Sequence, residues 1–381
     1  MQIDQIFFLG SFKDQRSNAE RLGKEFSLTN RFILFSCKQN GFAKSLIMQL
    51  LVALSVIVLT IAVWIWHRQS YFLNHGIPYL NSLPMLGAFS ETVLGQCGIF
   101  DNVKNIYFSD KLKEMSFFGI FLFHKPSLFI KDPALIKLIM VKDFQHFTNR
   151  HGSSQDHDPV GETNLFFAKN PLWKKLRGKL TPFFSSVKLK TMFYILDKVG
   201  DDLNKFINNK LNDNDRVELE LKELSALYLT DVIASCAFGV EANCLENPNG
   251  DFRRIGKELF NFTLYRGFEL LSVFMLPEIT KFFGFQQFTK VGTDFMTKTI
   301  RHVIRERERE GIKRNDLIDT LIEIKNSDMK ADTDGKKPIT EDMLIAQAAI
   351  FYAAGYETSS STQTFALYET VKQVWRHKTS S

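Results

Sequence analysis

Two long apolar runs dominate the chain. Leu46 to Trp66 is interrupted only by Gln49, Ser55 and Thr60, and about 20 such residues are what a bilayer crossing needs. A cleavable signal peptide is the competing reading, against which stand the length of the run and the lack of a small-residue cleavage site after it. From Thr340 to about Val371 the sequence is again apolar on nearly every helical face, which predicts one buried helix. Pro338 precedes it, Thr340 suits the N-cap, and Glu341 and Asp342 put negative charge where the helix dipole favours it.

Between these runs the pattern predicts smaller elements. Gly76-Ile77-Pro78 and Leu83-Pro84 punctuate a stiff hinge over residues 69–90. Phe117–Phe123 and Ser127–Ile130, separated by His124-Lys125-Pro126, predict a hairpin, and Asp132-Pro133 a helix through Met140. Asn170-Pro171 reads as a cap with proline at the first helical position. Asp231–Gly239 reads as a buried helix ended by glycine, with Cys236 in the core. Arg305–Glu310 predicts a solvated helix end laced with ion pairs and closed by Gly311. Asn315 or Asp316 caps another short helix, and 330–337 is a polar loop. Residues 1–47 show no sustained period.

Composition narrows the picture only modestly. The 381 residues, 45% hydrophobic and 24% charged, suit a folded body with a large core. A net charge of +6 without a basic and aromatic stripe argues against a nucleic-acid partner. Cys37, Cys97, Cys236 and Cys244 have no paired metal spacing and are too sparse for a disulfide framework, which points to a reducing compartment. Trp64, Trp66, His67 and Arg68 place aromatics and positive charge at the exit of the first run, as at a cytosolic membrane interface.

The candidate chemistry lies in two helices. Gly355 weakens a helix interior by about 1 kcal/mol relative to Ala, and Thr358-Ser359-Ser360-Ser361-Thr362 follows it. Phe351, Ala354, Gly355 and Thr358 share one stripe, in which two small residues open a notch beside a hydroxyl, with the Glu357 carboxylate on a neighbouring face. Either the notch takes a small ligand, or Gly355 permits close packing and the hydroxyls bond back to carbonyls. Trp173 and Arg177, at i and i+4, make a receptor for a carboxylate, or a cation stacked on a ring. Lys174, Lys175 and Lys179 read as a solvated face. The Phe-rich stretch from Phe252 to Phe285, with Phe260, Phe262, Phe268 and Phe274, is either a pocket roof or ordinary packing.

Ala354-Gly355-Tyr356-Glu357-Thr358 resembles the oxygen-binding helix of the cytochromes P-450, and Ser359-Ser360 after it resembles their insect microsomal, xenobiotic-metabolising branch. Trp173-Lys174-Lys175-Leu176-Arg177 followed by Leu180-Thr181-Pro182-Phe183-Phe184 is close to the family's propionate-binding helix, and Asp231–Gly239 also resembles the branch. The resemblance implies a mainly α fold with a small β lobe (α+β), the amino-terminal part of the cytochrome P-450 fold behind a single transmembrane anchor at 46–68. It implies a hinge at 69–90 and a partial domain over 91–381. Haem is the implied cofactor, with Trp173 and Arg177 on a propionate, Ala354 and Gly355 at the oxygen notch, Phe351 and Ala354 towards substrate, and Glu357 and Thr358 delivering protons.

The implied partners are an apolar small molecule, whose contacts the loop Asn149–Asn164 and the Phe-rich stretch shape, the membrane, and an NADPH-dependent flavin reductase docked on the Lys174, Lys175 and Lys179 face. The implied location is the endoplasmic reticulum membrane with the domain in the cytosol. Family members usually begin at such an anchor, so residues 1–47, before Met48, read as an extension from an upstream start. The resemblance runs from about Met48 to Glu369, roughly the first two thirds of a family member. Glu306 and Arg309 have the family's Glu-x-x-Arg spacing but precede the helix that motif should follow. None of the four cysteines stands in a Phe-x-x-Gly-x-x-x-Cys-x-Gly loop. The expectation is a truncated chain without the haem thiolate, which does not perform the family reaction; the alternative is an anchored remnant without haem.

Overall fold

The computed structural model describes residue 45 and residues 47–68, 70–211, 216–330 and 338–379. The readings of residues 1–44 and of the 331–337 loop lie outside them. The chain divides at Asp132-Pro133 into two compact units.

In the amino-terminal unit, α1 (Ile47–Arg68) is apolar and exposed along its length. After α2 (Tyr71–Asn74), residues 78–88 run beside a hairpin of β1 (Phe117–Leu122) and β2 (Lys125–Ile130), with α3 (Ser90–Val93) and α4 (Ile99–Tyr107) between. The hinge segment is stitched to β1. Leu80 N–H donates to Gly119 O and Gly119 N–H to Pro78 O, both at 2.8 Å. A Cβ on Gly119 would lie 2.5 Å from the Phe72 ring, so the close approach requires glycine. The hairpin turn is Phe123-His124, shorter than the expected His124-Lys125-Pro126, because Leu122 pairs with Lys125 and Phe121 with Pro126. Phe123 supplies the left-handed conformation that the tight connection needs, with φ 55°. Phe118 stacks on Phe129, and Ile106, Leu112 and Ile120 complete this core.

The carboxy-terminal unit is helical: α5 (Pro133–Lys137), α6 (Pro159–Thr163), α7 (Leu172–Leu180), α8 (Ser186–Leu211), α9 (Leu221–Ile233), α10 (Asp251–Leu259), α11 (Leu264–Met275), α12 (Pro277–Phe283), α13 (Lys290–Glu310), α14 (Leu317–Lys330) and α15 (Glu341–Thr379). It is built around α15. Leu344, Ile345, Ala346, Ala348, Ala349 and Tyr352 are buried among α6, α9, α10, α13 and α14. Thr340 does cap the helix, accepting Met343 N–H at 3.3 Å. The helix continues past the predicted end at Val371 because no glycine or proline follows it to stop it. The hydroxyl run does not break it either. Thr358, Thr362 and Thr364 turn their hydroxyls onto the carbonyls four residues back, at 2.5 to 2.8 Å.

Several local readings are corrected by packing. α5 ends at Lys137 and widens into a π turn over Leu138–Lys142 before Asp143. α7 starts at Leu172 with Pro171 at the N-cap, although Asn170 Oδ1 still accepts Lys174 N–H at 3.3 Å. Lys175 and Lys179 are not simply solvated. Lys175 pairs with Asp328 at 2.6 Å and Lys179 donates to Ser327 Oγ at 2.7 Å, tying α7 to α14. Within the charged run, Arg307 is buried and paired with Asp316 at 2.6 Å and Asp319 at 2.8 Å. Arg309 does pair with Glu306 on the exposed side at 2.6 Å. Asp316, not Asn315, caps α14, accepting Asp319 N–H at 3.1 Å. The helix through Asp231 ends as expected. A π turn over Ala234–Phe238 runs into Gly239, which closes it in the left-handed conformation, and Cys236 is buried.

Candidate functional site

α15 presents two different sides at its glycine. A Cβ on Gly355 would meet Ile233 Cδ1 of α9 at 2.8 Å, so the glycine admits close helix packing. Ala354 and Thr358 lie on the exposed side, with Phe351 half-buried above them. Thr358 donates its hydroxyl to Ala354 O at 2.5 Å. The stripe read from spacing is therefore divided, with Gly355 under α9 and Ala354 and Thr358 on open surface.

Phe351 links this surface to α7. The short turn Thr181–Phe184 that closes α7 brings Phe183 edge-on to Phe351 at 5.8 Å and stacks Phe184 on it at 5.6 Å. On α7 itself Trp173 is half-buried, 5.7 Å from the Phe144 ring, and Arg177 is exposed one turn further on. Among the described residues no carboxylate engages the Arg177 guanidinium, which leaves its planar donor set open.

Glu357 points elsewhere. Its Oε1 accepts Lys222 Nζ of α9 at 2.7 Å and Ser361 Oγ at 3.3 Å, and Lys222 also reaches Ser360 Oγ at 3.0 Å and Ser361 Oγ at 2.7 Å. Glu357 borders an open groove of about 580 Å³ together with Arg254, Lys257, Phe260, Asn261 and Tyr356. Under that groove Arg253 is buried. It holds Glu223 through Nη2 at 2.5 Å and donates to the Tyr356 hydroxyl, while Lys257 adds a second cation to Glu223 at 3.1 Å. Burial works to raise the Glu223 carboxyl, but hydrogen bonds from Arg253 and Lys257 outweigh it and hold its pKa below the usual range. Burial pushes the Tyr356 phenol up. Lys222, Glu223 and Arg253 were not found from the sequence, because their partners lie about 30 to 140 positions away and a one-dimensional pattern carries no signal for such pairs.

The loop from Asn149 to Asn164 and the Phe-rich region come together. Ser153 N–H donates to Val273 O at 2.9 Å, Gln287 N–H to Asp158 Oδ2 at 2.9 Å, and His157 Nε2 lies 2.9 Å from Phe285 O. The α6 end of the loop joins α15 through buried Gln347, whose Nε2 donates to Thr163 O at 2.9 Å. Phe274 lies 5.2 Å from Phe167 and is partly exposed; Phe262 and Phe268 are exposed.

The cysteines are placed differently. Burial, with Asp316 close by, pushes the Cys236 thiol up to about 11. Burial and Asp231 push the Cys244 thiol higher still. Cys97 donates to Glu91 Oε2 at 3.6 Å in the amino-terminal unit, and Cys37 lies outside the described residues. A thiol held protonated in a core is a poor metal ligand. The described residues whose donors suit a haem propionate are Trp173 and Arg177, and the buried, protonated thiols of Cys236 and Cys244 do not suit a metal-bound thiolate.

The sequence profile described as Cytochrome P450 matches residues 80–373. The chain is similar to "Probable cytochrome P450 6g2" of Drosophila melanogaster, 41% identical over 312 residues that make up 80% of this chain and 60% of that protein. It is similar to "Probable cytochrome P450 6w1" of the same organism, at 36% over 317 residues, 82% of this chain and 61% of the relative. "Cytochrome P450 6k1" of Blattella germanica is 35% identical over 333 residues, 84% of this chain and 62% of the relative. The chain thus spans about 60% of the length of the curated relatives that it matches.

Proposed function

The chain belongs to the cytochrome P450 family, and from that premise we propose that the complete protein is a haem-dependent monooxygenase acting on apolar small molecules. It is anchored by α1 in the endoplasmic reticulum membrane, with residues 69–90 as the connection to a cytosolic domain, and it draws electrons from an NADPH-dependent flavin reductase. The observation that carries this reading is the Phe184 ring stacked on Phe351 at 5.6 Å, which sets the turn that closes α7 against the part of α15 where Ala354 and Thr358 are exposed.

Haem, when bound, supplies the oxygen activation. Trp173 and Arg177 would hold a propionate by the indole N–H and the guanidinium fork. Ala354 would leave room beside the cofactor, and Phe351 would give substrate an apolar wall. Thr358 holds a proton at Oγ1 and can release the Ala354 carbonyl to donate it. Glu357 takes protons from the solvated groove, but it must first leave Lys222 to serve the Thr358 side, so Lys222 keeps the relay at rest. The iron's thiolate is not assigned to Cys236 or Cys244, and turnover is proposed for the complete protein.

The test is product formed per NADPH consumed in the complete protein. Thr358→Ala should keep haem content while lowering that ratio, with product formation falling by roughly a hundredfold, the lower range of a lost general acid. An unchanged ratio in both Thr358→Ala and Glu357→Gln would remove these residues from the relay.

A further inference from the structure

The passage from α1 into the hairpin leaves no slack. Ser70 N–H donates to Trp66 O at 3.0 Å and Asn74 N–H to Ser70 O at 2.9 Å, so helical bonding carries over from α1 into α2. Phe72 of α2 is only 1% exposed, set between the Tyr79 ring at 5.7 Å and the Phe121 ring at 4.9 Å. A second attachment lies further back along α1. The Trp64 ring stands between the Arg68 guanidinium, 5.6 Å from its centroid, and the ring of His124 in the hairpin turn, 5.8 Å away and tilted by 43°. Trp64, Met85 and Phe123 enclose a hollow of only about 20 Å³ there, room for about one water, so the two surfaces meet closely.

We propose that α1 and the hairpin form one rigid joint, in which the Trp64 and His124 rings clasp the anchor to the amino-terminal unit, so that the tilt of α1 in a bilayer sets the tilt of the hairpin. The orienting role rests on the reading of α1 as a membrane anchor, which its 22 residues and mean hydropathy of 2.5 support. Two attachments, at Trp64 and Phe72, fix the direction of the helix end as well as its position. A flexible tether is built from glycine and serine, and a stiff spacer from proline. Here Gly76 and Pro78 come only after Phe72 has entered the core, so neither loosens the joint. His124 suits the clasp as a neutral ring. Burial, then the charges of Lys125 and Arg68, lower its pKa, and the imidazole meets Trp64 without adding another cation beside Arg68 and Lys125. The consequence is an amino-terminal unit held in one orientation to its anchor instead of swinging on a leash.

The experiment is hydrogen exchange of the full chain in phosphatidylcholine nanodiscs, with residues 344–352 of α15 as the folding control. Amides 70–74 and 121–126 should be protected together, and Trp64→Ala should speed exchange in both segments by roughly tenfold, the scale of a lost aromatic contact. His124→Phe should leave both segments unchanged. His124→Lys, a fixed cation beside Arg68 and Lys125, should speed both. Free exchange at 70–74 in the parent would overturn the joint, as would a Trp64→Ala response confined to one of the two segments. Equal speeding by His124→Phe and His124→Lys would overturn the ring contact. Failure of 48–63 to be protected in the discs would instead overturn the anchoring reading, and the orienting role with it.

Discussion

Gly355 shows how one residue serves packing at a functional helix. Its missing side chain lets α9 approach until Ile233 Cδ1 stands where a Cβ would need room. Gly355→Val should cost about 1 to 3 kcal/mol by overpacking, measured as a lower urea midpoint. Ile233→Ala in the same chain should recover part of that loss, since the flexible end of Ile233 is what the new methyls would strike. Additive losses in the double variant would contradict the contact. Close packing against α9 thus accounts for the glycine, while Ala354 and Thr358 beside it stay open to solvent. Spacing alone places all four on one stripe and has no means of dividing it, because the position of α9 is a tertiary fact.

Between elements, the basic face of α7 is partly structural. Lys175 and Lys179 reach α14, and Asp328 also accepts Ile339 N–H at 2.6 Å, so one carboxylate joins α7, α14 and the entry to α15. Burial works to raise the Asp328 pKa, but hydrogen bonds from Lys175 and the Ile339 amide outweigh it and hold the group below its usual range. A carboxyl lowered by folding adds stability above its unfolded value, near about pH 4, and that stability is lost as pH falls through the folded value. Asp328→Asn should therefore be less stable than the parent at neutral pH and should lose less on acidification, as thermal melts at pH 7 and pH 3 would record. Parallel acid losses in both proteins would place the linkage elsewhere.

The elements themselves were largely legible. α1, the hairpin, α7 and α15 follow from apolar runs, caps and proline positions. What escaped was pairing across sequence: Arg307 turned inward to Asp316 and Asp319, Lys222 onto Glu357, and the clips that join 149–164 to 273–287.

At the scale of the whole molecule, the family follows from ordered motifs and from relatives, while the chemistry depends on how the chain's surfaces meet a cofactor. The Trp173 and Arg177 spacing and the Ala354 and Thr358 spacing are local, so the sequence alone marks them as candidates. The cysteines were readable only as a missing pattern, and burial holds the Cys236 and Cys244 thiols protonated. The most direct measurement is the reduced carbon-monoxide difference spectrum of membranes carrying the complete gene product, beside membranes carrying residues 48–381 alone. The complete product should show a Soret band at the thiolate-ligated position, and residues 48–381 should show no such band. A thiolate band from residues 48–381 would contradict the cysteine assignment, and its absence from the complete product would contradict the proposed oxygenase.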